Sequence, residues 1–373
     1  MKILHFSDLH LDMAFTGSGM PLEIARGCRM RLRKTLHHIL DLAVEKKVDV
    51  VTVGGDLFEG DRVSRDTIQF LTGCFEQLAP IPVLIAPGNH DYYSPVSPYS
   101  RHTWPENVTL FGKPIPESFE FSGEVTFWGI GHHSPSERKN FIENFKVPQD
   151  DKLHILLMHG SEIGKYVENR AAHAPFNLRD IEEAGFGFGL LGHYHSARIL
   201  EIDRPIAVYP GSPQQLGFGD DGERGVAILT VQRDFIECEC IDIATQAFIS
   251  LEFSPKKSTD THNLAEEIVT TAGKRTAEAN FLRLRLSGIQ GSGLHIDIDY
   301  LKDFLLNYFE HVSIDNAMRS SANIEELSQE PTVRGAFVRQ LQQMLSDNRE
   351  DQELIRQALK YGLHAFEGED LVK

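Results

Sequence analysis

Val48-Asp-Val-Val-Thr-Val-Gly-Gly-Asp-Leu-Phe58 is the stretch on which the reading of this chain turns. It begins as an apolar, valine-rich run, breaks at two glycines and delivers the carboxylate of Asp56. A buried strand that ends in Gly-Gly-Asp sets an acid at the rim of a sheet, with no bulky neighbour to obstruct a metal ion or a phosphate. Four further stretches share this design. Residues 2–7 run into Asp8-Leu-His10, and residues 81–86 into Pro87-Gly-Asn-His-Asp91. Residues 153–158 run into His159-Gly160, and residues 186–191 into Gly192-His-Tyr-His195. Residues two apart on a strand end point the same way, so Asp8 with His10, and His193 with His195, can each chelate one ion.

Between these strands the apolar spacing turns helical. Leu32, Leu36, Ile39, Leu40 and Ala43 mark one stripe within 22–47, and Ile68, Leu71, Phe75 and Leu78 another within 65–78. A third helix is expected near 177–184. Strands alternating with helices predict an α/β sheet with covering helices, whose ligands gather at the carboxyl ends of the strands. Residues 92–118, rich in Pro, Ser and Tyr, read as a long loop, and 125–131 as a strand leading to His132 and His133. Those two histidines either line the site or are satisfied within their loop. Arg26, Arg29, Arg31, Arg33 and Lys34 crowd the first helix, as a solvated face or as a phosphate-contacting edge. Residues 198–243 alternate strands and turns around the rigid turn Tyr209-Pro-Gly-Ser-Pro213.

From about 246 the pattern changes. Helices near 262–278 and 299–310 and strands at 281–286 and 311–316 form an α+β module. Residues 332–361 are helical, with a stripe of Val333, Phe337, Leu341, Met344, Leu345, Leu354, Ile355, Ala358 and Leu359 broken by an acidic run at 348–353. That stripe packs on its own domain or docks a partner. The expected division is 1–245, 246–320 and 321–373.

The chain has 373 residues, 41% apolar and 24% charged, as in a globular protein. No apolar run approaches the roughly 20 residues of a membrane span, and the N-terminus reads as a strand, not a signal peptide. Cys28, Cys74, Cys238 and Cys240 are scattered without zinc-knuckle spacing, so reduced thiols and a cytoplasmic location are expected. A net charge of −17 speaks against coating nucleic acid by bulk electrostatics. It leaves room for a grip on phosphate through bound cations and a local basic patch.

The candidate ligands are Asp8, His10, Asp56, Asn89, His159, His193 and His195. Mixed oxygen and nitrogen donors without cysteine suit Mn(II), Fe(II) or Zn(II) better than Mg(II) or Ca(II). Asp-Leu-His, Gly-Gly-Asp, Gly-Asn-His-Asp, His-Gly and Gly-His-Tyr-His, in this order over roughly 1–240, resemble the calcineurin-like metallophosphoesterase superfamily. Asp56-Leu-Phe58, the 209–213 turn and the added C-terminal module are similar to the SbcD-like DNA repair exonucleases.

The resemblance implies a β-sandwich flanked by helices, with an α+β cap and a helical tail. It implies two divalent ions, Mn(II) first among the candidates. Asp8, His10, Asp56 and His195 would hold one, and Asp56, Asn89, His159 and His193 the other, with Asp56 bridging. His90 would be the proton donor to the leaving oxygen, supported by Glu59, with Asp91 as a rival for that support. Tyr194 and Ser212 are expected to face the substrate from their place in the sequence, and Lys256, Lys257, Lys274, Arg275, Arg283 and Arg285 either contact phosphates or form an ordinary mixed-charge surface. The implied function is a DNA nuclease, acting as a homodimer with an SbcC-type ABC ATPase. The competing readings are a phosphoesterase of small diesters, nucleotides or phosphoproteins, and a non-catalytic scaffold subunit.

Overall fold

Side chains that alternate across two sheets account for most of the fold. The computed structural model describes residues 1–15, 20–164, 172–232, 235–255, 260–273, 278–290, 296–320, 324–347 and 352–366. The chain divides into two compact units. The first is Met1–Ile249 with Lys274–Leu282 and Phe309–His311, and the second is Ser250–Gly273, Arg283–Tyr308 and Val312–Lys373. The segments 246–320 and 321–373 thus both contribute to the second unit.

In chain order the first unit runs β1 (Lys2–Phe6), α1 (Leu22–Glu45), β2 (Val50–Val53), α2 (Arg65–Leu78), β3 (Val83–Ile85), α3 (Pro98–Arg101) and β4 (Val108–Leu110). It continues with β5 (Glu117–Ser122), β6 (Val125–Ile130), β7 (Leu153–His159), α4 (Leu178–Ala184), β8 (Phe188–Gly192), β9 (Arg198–Glu201), β10 (Pro205–Tyr209), β11 (Val226–Val231) and β12 (Ile236–Ile241). One six-stranded sheet has the order β12-β11-β1-β2-β3-β4 and the other β5-β6-β7-β8-β10-β9. β1 to β4 are parallel, as are β6, β7, β8 and β10, so their carboxyl ends emerge together in each sheet.

The period-two pattern explains the sandwich. Ile3, Val50 and Leu84 of one sheet share a buried cluster with Phe127, Ile155, Leu157 and Leu190 of the other. The alternate residues Leu4, Phe6, Val51, Val53 and Ile85 face outward onto Leu32, Leu36, Ile68 and Phe75 of α1 and α2. On the opposite outer face Leu156, Met158 and Leu191 pack with Ile181 of α4. Each such side chain contributes about 1.5–3 kcal/mol when fully buried. Ser64 caps α2 by accepting from the Thr67 N–H at 3.1 Å, a contact worth about 1 kcal/mol.

The expected loop 92–118 is more ordered than its composition suggests. It carries α3 and β4, and β5 begins at its end. Three residues, Val108-Thr-Leu110, are too short to show a period, yet they pair in parallel register with Val83–Ile85. The cations of α1 are largely committed to packing. Arg31 pairs with Glu310, Arg33 with Asp66 at 2.7 Å, and Arg29 donates to the Ala14 carbonyl at 3.2 Å.

The rest of the chain forms β13 (Gln246–Phe253), α5 (Thr261–Ala272), β14 (Ala279–Leu286), β15 (Ile289–Gln290), α6 (Ile298–Leu305), β16 (His311–Asn316), β17 (Arg319–Ser320), α7 (Ile324–Gln329), α8 (Val333–Asp347) and α9 (Gln352–Phe366). β13, β14 and β16 form a three-stranded sheet. The helix expected to reach 278 stops at Ala272, because Gly273 turns the backbone to φ +79°. The C-terminal stripe divides: Phe337, Leu341 and Leu359 join Leu327 and Val338 in a cluster of their own, while Val333, Met344 and Leu354 remain exposed. Arg283 and Arg285 are exposed on one face of β14, and Lys256, Lys257, Lys274 and Arg275 lie outside the described residues. All four cysteines are free, and no helix among the described residues is long and apolar enough to cross a membrane.

The two sheets meet closely where the site begins. A β-carbon on Gly192 would stand 2.0 Å from the Gly54 carbonyl oxygen and 2.8 Å from Ser7 Cβ. Gly192→Ala is therefore expected to destabilise the first unit by about 1–3 kcal/mol, read as a lower denaturation midpoint in urea with an unchanged slope.

Candidate metal centre

The motif residues sit where β1, β2, β3, β7 and β8 end, and the backbone there is unusual. Asp8 (φ 55°), His10 (φ 50°), Asp56 (φ 52°) and His193 (φ 113°) all have positive φ. Non-glycine residues hold such conformations only where surrounding contacts enforce them, at a cost of order 1–3 kcal/mol each. The enforcing contacts are visible. Asp8 N–H donates to Gly55 O, His10 N–H to Asp56 O and Leu11 N–H to Leu57 O, each at 3.0 Å. The buried carboxylate of Asp91 accepts the N–H groups of Asp56 (3.0 Å), Leu57 (2.8 Å) and Gly88 (2.6 Å) and the hydroxyl of Tyr99 (2.7 Å). Asp91 is thus a backbone clamp, which removes it as a rival to Glu59 in supporting His90.

The histidine tautomers follow from their partners. His159 Nδ1 lies 2.8 Å from the Gly54 carbonyl oxygen, which can only accept, so Nδ1 carries the proton. His10 Nδ1 lies 2.7 Å from Glu59 Oε1, and His195 Nδ1 lies 3.2 Å from Asp220 Oδ1. In each neutral ring Nε2 is then a bare lone pair, and each faces oxygen. His159 Nε2 is 3.0 Å from Asn89 Oδ1 and 3.4 Å from Asp56 Oδ2, His10 Nε2 is 3.7 Å from Asp56 Oδ2, and His195 Nε2 is 3.8 Å from Asp8 Oδ1. His10 Nε2 is buried with no hydrogen-bond partner. Lone pairs directed at oxygens in a dry site repel one another until a cation lies between them, and imidazoles anchored through Nδ1 are the usual form of metal ligation.

Three overlapping sets bring their ligand atoms within 4.8 Å of one another: Asp8, His10 and His195; His10, Asp56 and His90; Asp8, Asp56 and His159. His193 is in none of them, but its ring is 5.2 Å from that of His159 and its N–H donates to Asp8 Oδ2 at 3.1 Å. The protonation energetics agree with this geometry. Burial lowers the pKa of His10, and burial followed by His193 and His132 holds His159 well below the ordinary imidazole value. Burial pushes Asp56 up to about 6 against the pull of His10 and His90.

A cavity of about 430 Å³ opens above this floor, lined by His10, Asp56, Asn89, His193 and His195, with Glu59 and His90 also on its wall. Glu59 spans two rings, accepting from His10 Nδ1 through Oε1 and from His90 Nδ1 through Oε2 at 3.0 Å. That bond is the main cause raising His90 to about 9, with burial opposing it. Burial acts to raise Glu59, but the bonds from His10 and His90 prevail and hold it well below the carboxylate range.

Several expectations change. Tyr194 is buried and its hydroxyl donates to the Glu162 carbonyl at 2.9 Å. Ser212 is also buried and donates to the Asp8 carbonyl at 2.9 Å. Neither lines the cavity, so both shape the site from behind and do not face substrate. His132 is a buried partner of the His159 carbonyl at 2.7 Å, and His133 bonds the Gly112 carbonyl at 2.5 Å. Neither lines the cavity, although the buried His132 Nδ1 has no hydrogen-bond partner. Sequence reading missed Asp220, which orients His195 from the glycine-rich turn 217–222, and His173, Met13 and Leu216 on the cavity wall. None of these ends an apolar strand, so none carried the signal that revealed the others.

A family profile described as "Calcineurin-like phosphoesterase" matches residues 1–197. The chain belongs to this family. The "Uncharacterized metallophosphoesterase YhaO" of Bacillus subtilis (strain 168) is 29% identical over 246 residues, spanning 64% of this chain and 59% of that relative. The crystal structure of TT1561 of Thermus thermophilus is 16% identical, with a TM-score of 0.41 over 64% of this chain and 98% of that one. Membership in the calcineurin-like phosphoesterases and the overlapping Asp and His sets together point to a centre for two cations.

Two outcomes are expected of this phosphoesterase. Chelation lowers the melting temperature, and restoring Mn(II) at about 100 times its Kd returns about 2.7 kcal/mol. Asp56→Asn, which removes a buried charge, leaves the metal-free protein no less stable but abolishes most of that rise in calorimetry. In the metal-free protein, histidine NMR should place His90 near 9, and Glu59→Gln should return it toward 6.5. Since the folded value is the higher one, stability from this pair is full below about pH 6.5 and is lost as pH rises through about 9.

Proposed function

We propose that this metallophosphoesterase hydrolyses phosphodiesters, with His90 as general acid. The observation that carries this reading is His90 itself, held through Nδ1 by Glu59 on the wall of the cavity whose floor is the Asp56 cluster. Asp8, His10, Asp56 and His195 would hold one ion and Asp56, Asn89, His159 and His193 the second. Two such cations supply the positive charge that polarises a phosphoryl group and acidifies a water molecule. The protein's own part is to fix the imidazole tautomers, to exclude bulk water from the floor and to keep a proton on His90 for the leaving oxygen. Met13 and Leu216 give the cavity an apolar side for the organic part of the substrate. No Lys or Arg lines the cavity among the described residues, whereas the carboxylates Glu59 and Asp220 do. A phosphodiester with a single charge suits that lining better than a monoester of about −1.5 to −2.

A second reading takes DNA as the diester, with an SbcC-type ATPase as partner of a homodimer. It rests on the motif resemblance, on the unit added after the phosphoesterase unit, and on Arg283 and Arg285 exposed together on β14.

The test compares bis-p-nitrophenyl phosphate, p-nitrophenyl phosphate, an alkyl nucleotide diester, and single- and double-stranded DNA in Mn(II). Diesters are expected to turn over faster than the monoester, and a preference for the monoester would sink the reading. His90→Ala is expected to retain its metal and to lose about 10²–10⁴ in kcat on the alkyl diester. The loss should be smaller on p-nitrophenyl esters, whose leaving group departs without a proton. Cleavage of DNA that His90→Ala loses would favour the second reading.

A further inference from the structure

We propose that His173 is a substrate-binding residue of this centre, donating a hydrogen bond from its ring to a non-bridging oxygen of the bound phosphodiester. The inference rests on reading the cavity as a phosphodiester site. His173 lies in none of the ligand motifs, but its backbone is tied to the motif that supplies His159. Its N–H donates to Ser161 Oγ at 3.0 Å, and its carbonyl accepts the Ser161 N–H at 2.8 Å. Ser161 is itself buried, two residues after His159. The next residue, Ala174, donates its N–H to the Glu137 carbonyl at 2.8 Å. A parallel bridge between Glu162 and Phe176 continues this pairing. These bonds set the imidazole on the cavity wall, with its ring centroid 5.3 Å from that of His193.

The ring is otherwise unused. Its Nδ1 is closed off from solvent without a hydrogen-bond partner, and the ring bonds to no described residue. An enclosed Nδ1 cannot reach a ligand, which leaves Nε2 as the ring nitrogen that would meet one in the cavity. Each other histidine on the cavity wall already has a place. His10, His193 and His195 belong to the ligand set, and His90 is held by Glu59. With no Lys or Arg among the described lining residues, imidazole N–H groups are what the protein offers to the phosphoryl oxygens. His173 and His90 together would address the phosphoryl group from the protein side.

The experiment uses the full-length Mn(II)-loaded protein with His173→Ala and His173→Gln, the latter retaining an N–H donor. Calorimetry with inorganic phosphate, elemental analysis of bound metal, and kcat and KM on bis-p-nitrophenyl phosphate are read together. His173→Ala is expected to keep its metal and melting temperature, to bind phosphate about ten-fold more weakly and to lose about ten-fold or more in kcat/KM, with His173→Gln recovering part of both. Loss of metal from His173→Ala would overturn the proposal by making the residue a ligand. Unchanged phosphate affinity would overturn it by leaving a structural role. If the wild type bound phosphate but turned over no diester, the diesterase reading would fall while the phosphate titration still decided His173.

Discussion

The site depends first on one buried carboxylate that belongs neither to the clustered metal-binding sets nor to the cavity wall. Asp91 collects the N–H groups of Asp56, Leu57 and Gly88 and the hydroxyl of Tyr99. The three N–H groups belong to the turns that follow β2 and β3, and Tyr99 to α3. By satisfying them from one point, Asp91 locks the two turns together and so fixes Asp56 and Asn89 relative to each other. The left-handed backbone at Asp56 persists because its own N–H is held in this way. A buried carboxylate with so many donors is a strong organiser, since each hydrogen bond to a charged acceptor contributes about 1.5–3 kcal/mol.

The floor of the cavity is the opposite case. Gly54, Glu59 and Asp220 draw the Nδ1 protons of His159, His10 and His195 outward and leave lone pairs converging on carboxylate oxygens. Folding assembles this group against its own electrostatics, and a cation relieves the conflict. The protein thus spends stability at one point to hold a geometry that its hydrogen-bonded surroundings alone would not choose.

Much of this was legible in the sequence because the ligands end apolar strands. An apolar run that breaks at a small residue or turn beside a polar side chain is a signal carried within a few positions, and it singled out Asp8, His10, Asp56, Asn89, His159 and both members of the 193–195 pair as candidates. Helix α2 was legible over about 65–78 from its apolar stripe, and the Ser64 cap found in the structure marks its start. What was not legible depends on contacts across the fold. Asp220 reaches the cavity from a glycine-rich turn with no period of its own, and no apolar run precedes His173 in the sequence. Tyr194 and Ser212 stand beside ligands in sequence but point away from the cavity, because their hydroxyls find carbonyl oxygens behind it. Closeness along the chain was a poor guide to which way a side chain faces. The strand β4 was hidden for a related reason, since only its pairing with β3 makes three residues a strand.

The two sheets divide the centre between them. Asp8, His10, Asp56 and Asn89 follow strands of one, and His159, His193 and His195 follow strands of the other. The first sheet also closes late, because β1 pairs on one side with β11, more than two hundred residues downstream. A chain emerging from the ribosome therefore has four of the seven candidate ligands long before the other three, and the strand that completes the first sheet appears only after the last of them. The candidate centre is thereby complete only late in synthesis, and an ion held there would fasten two sheets that were made apart.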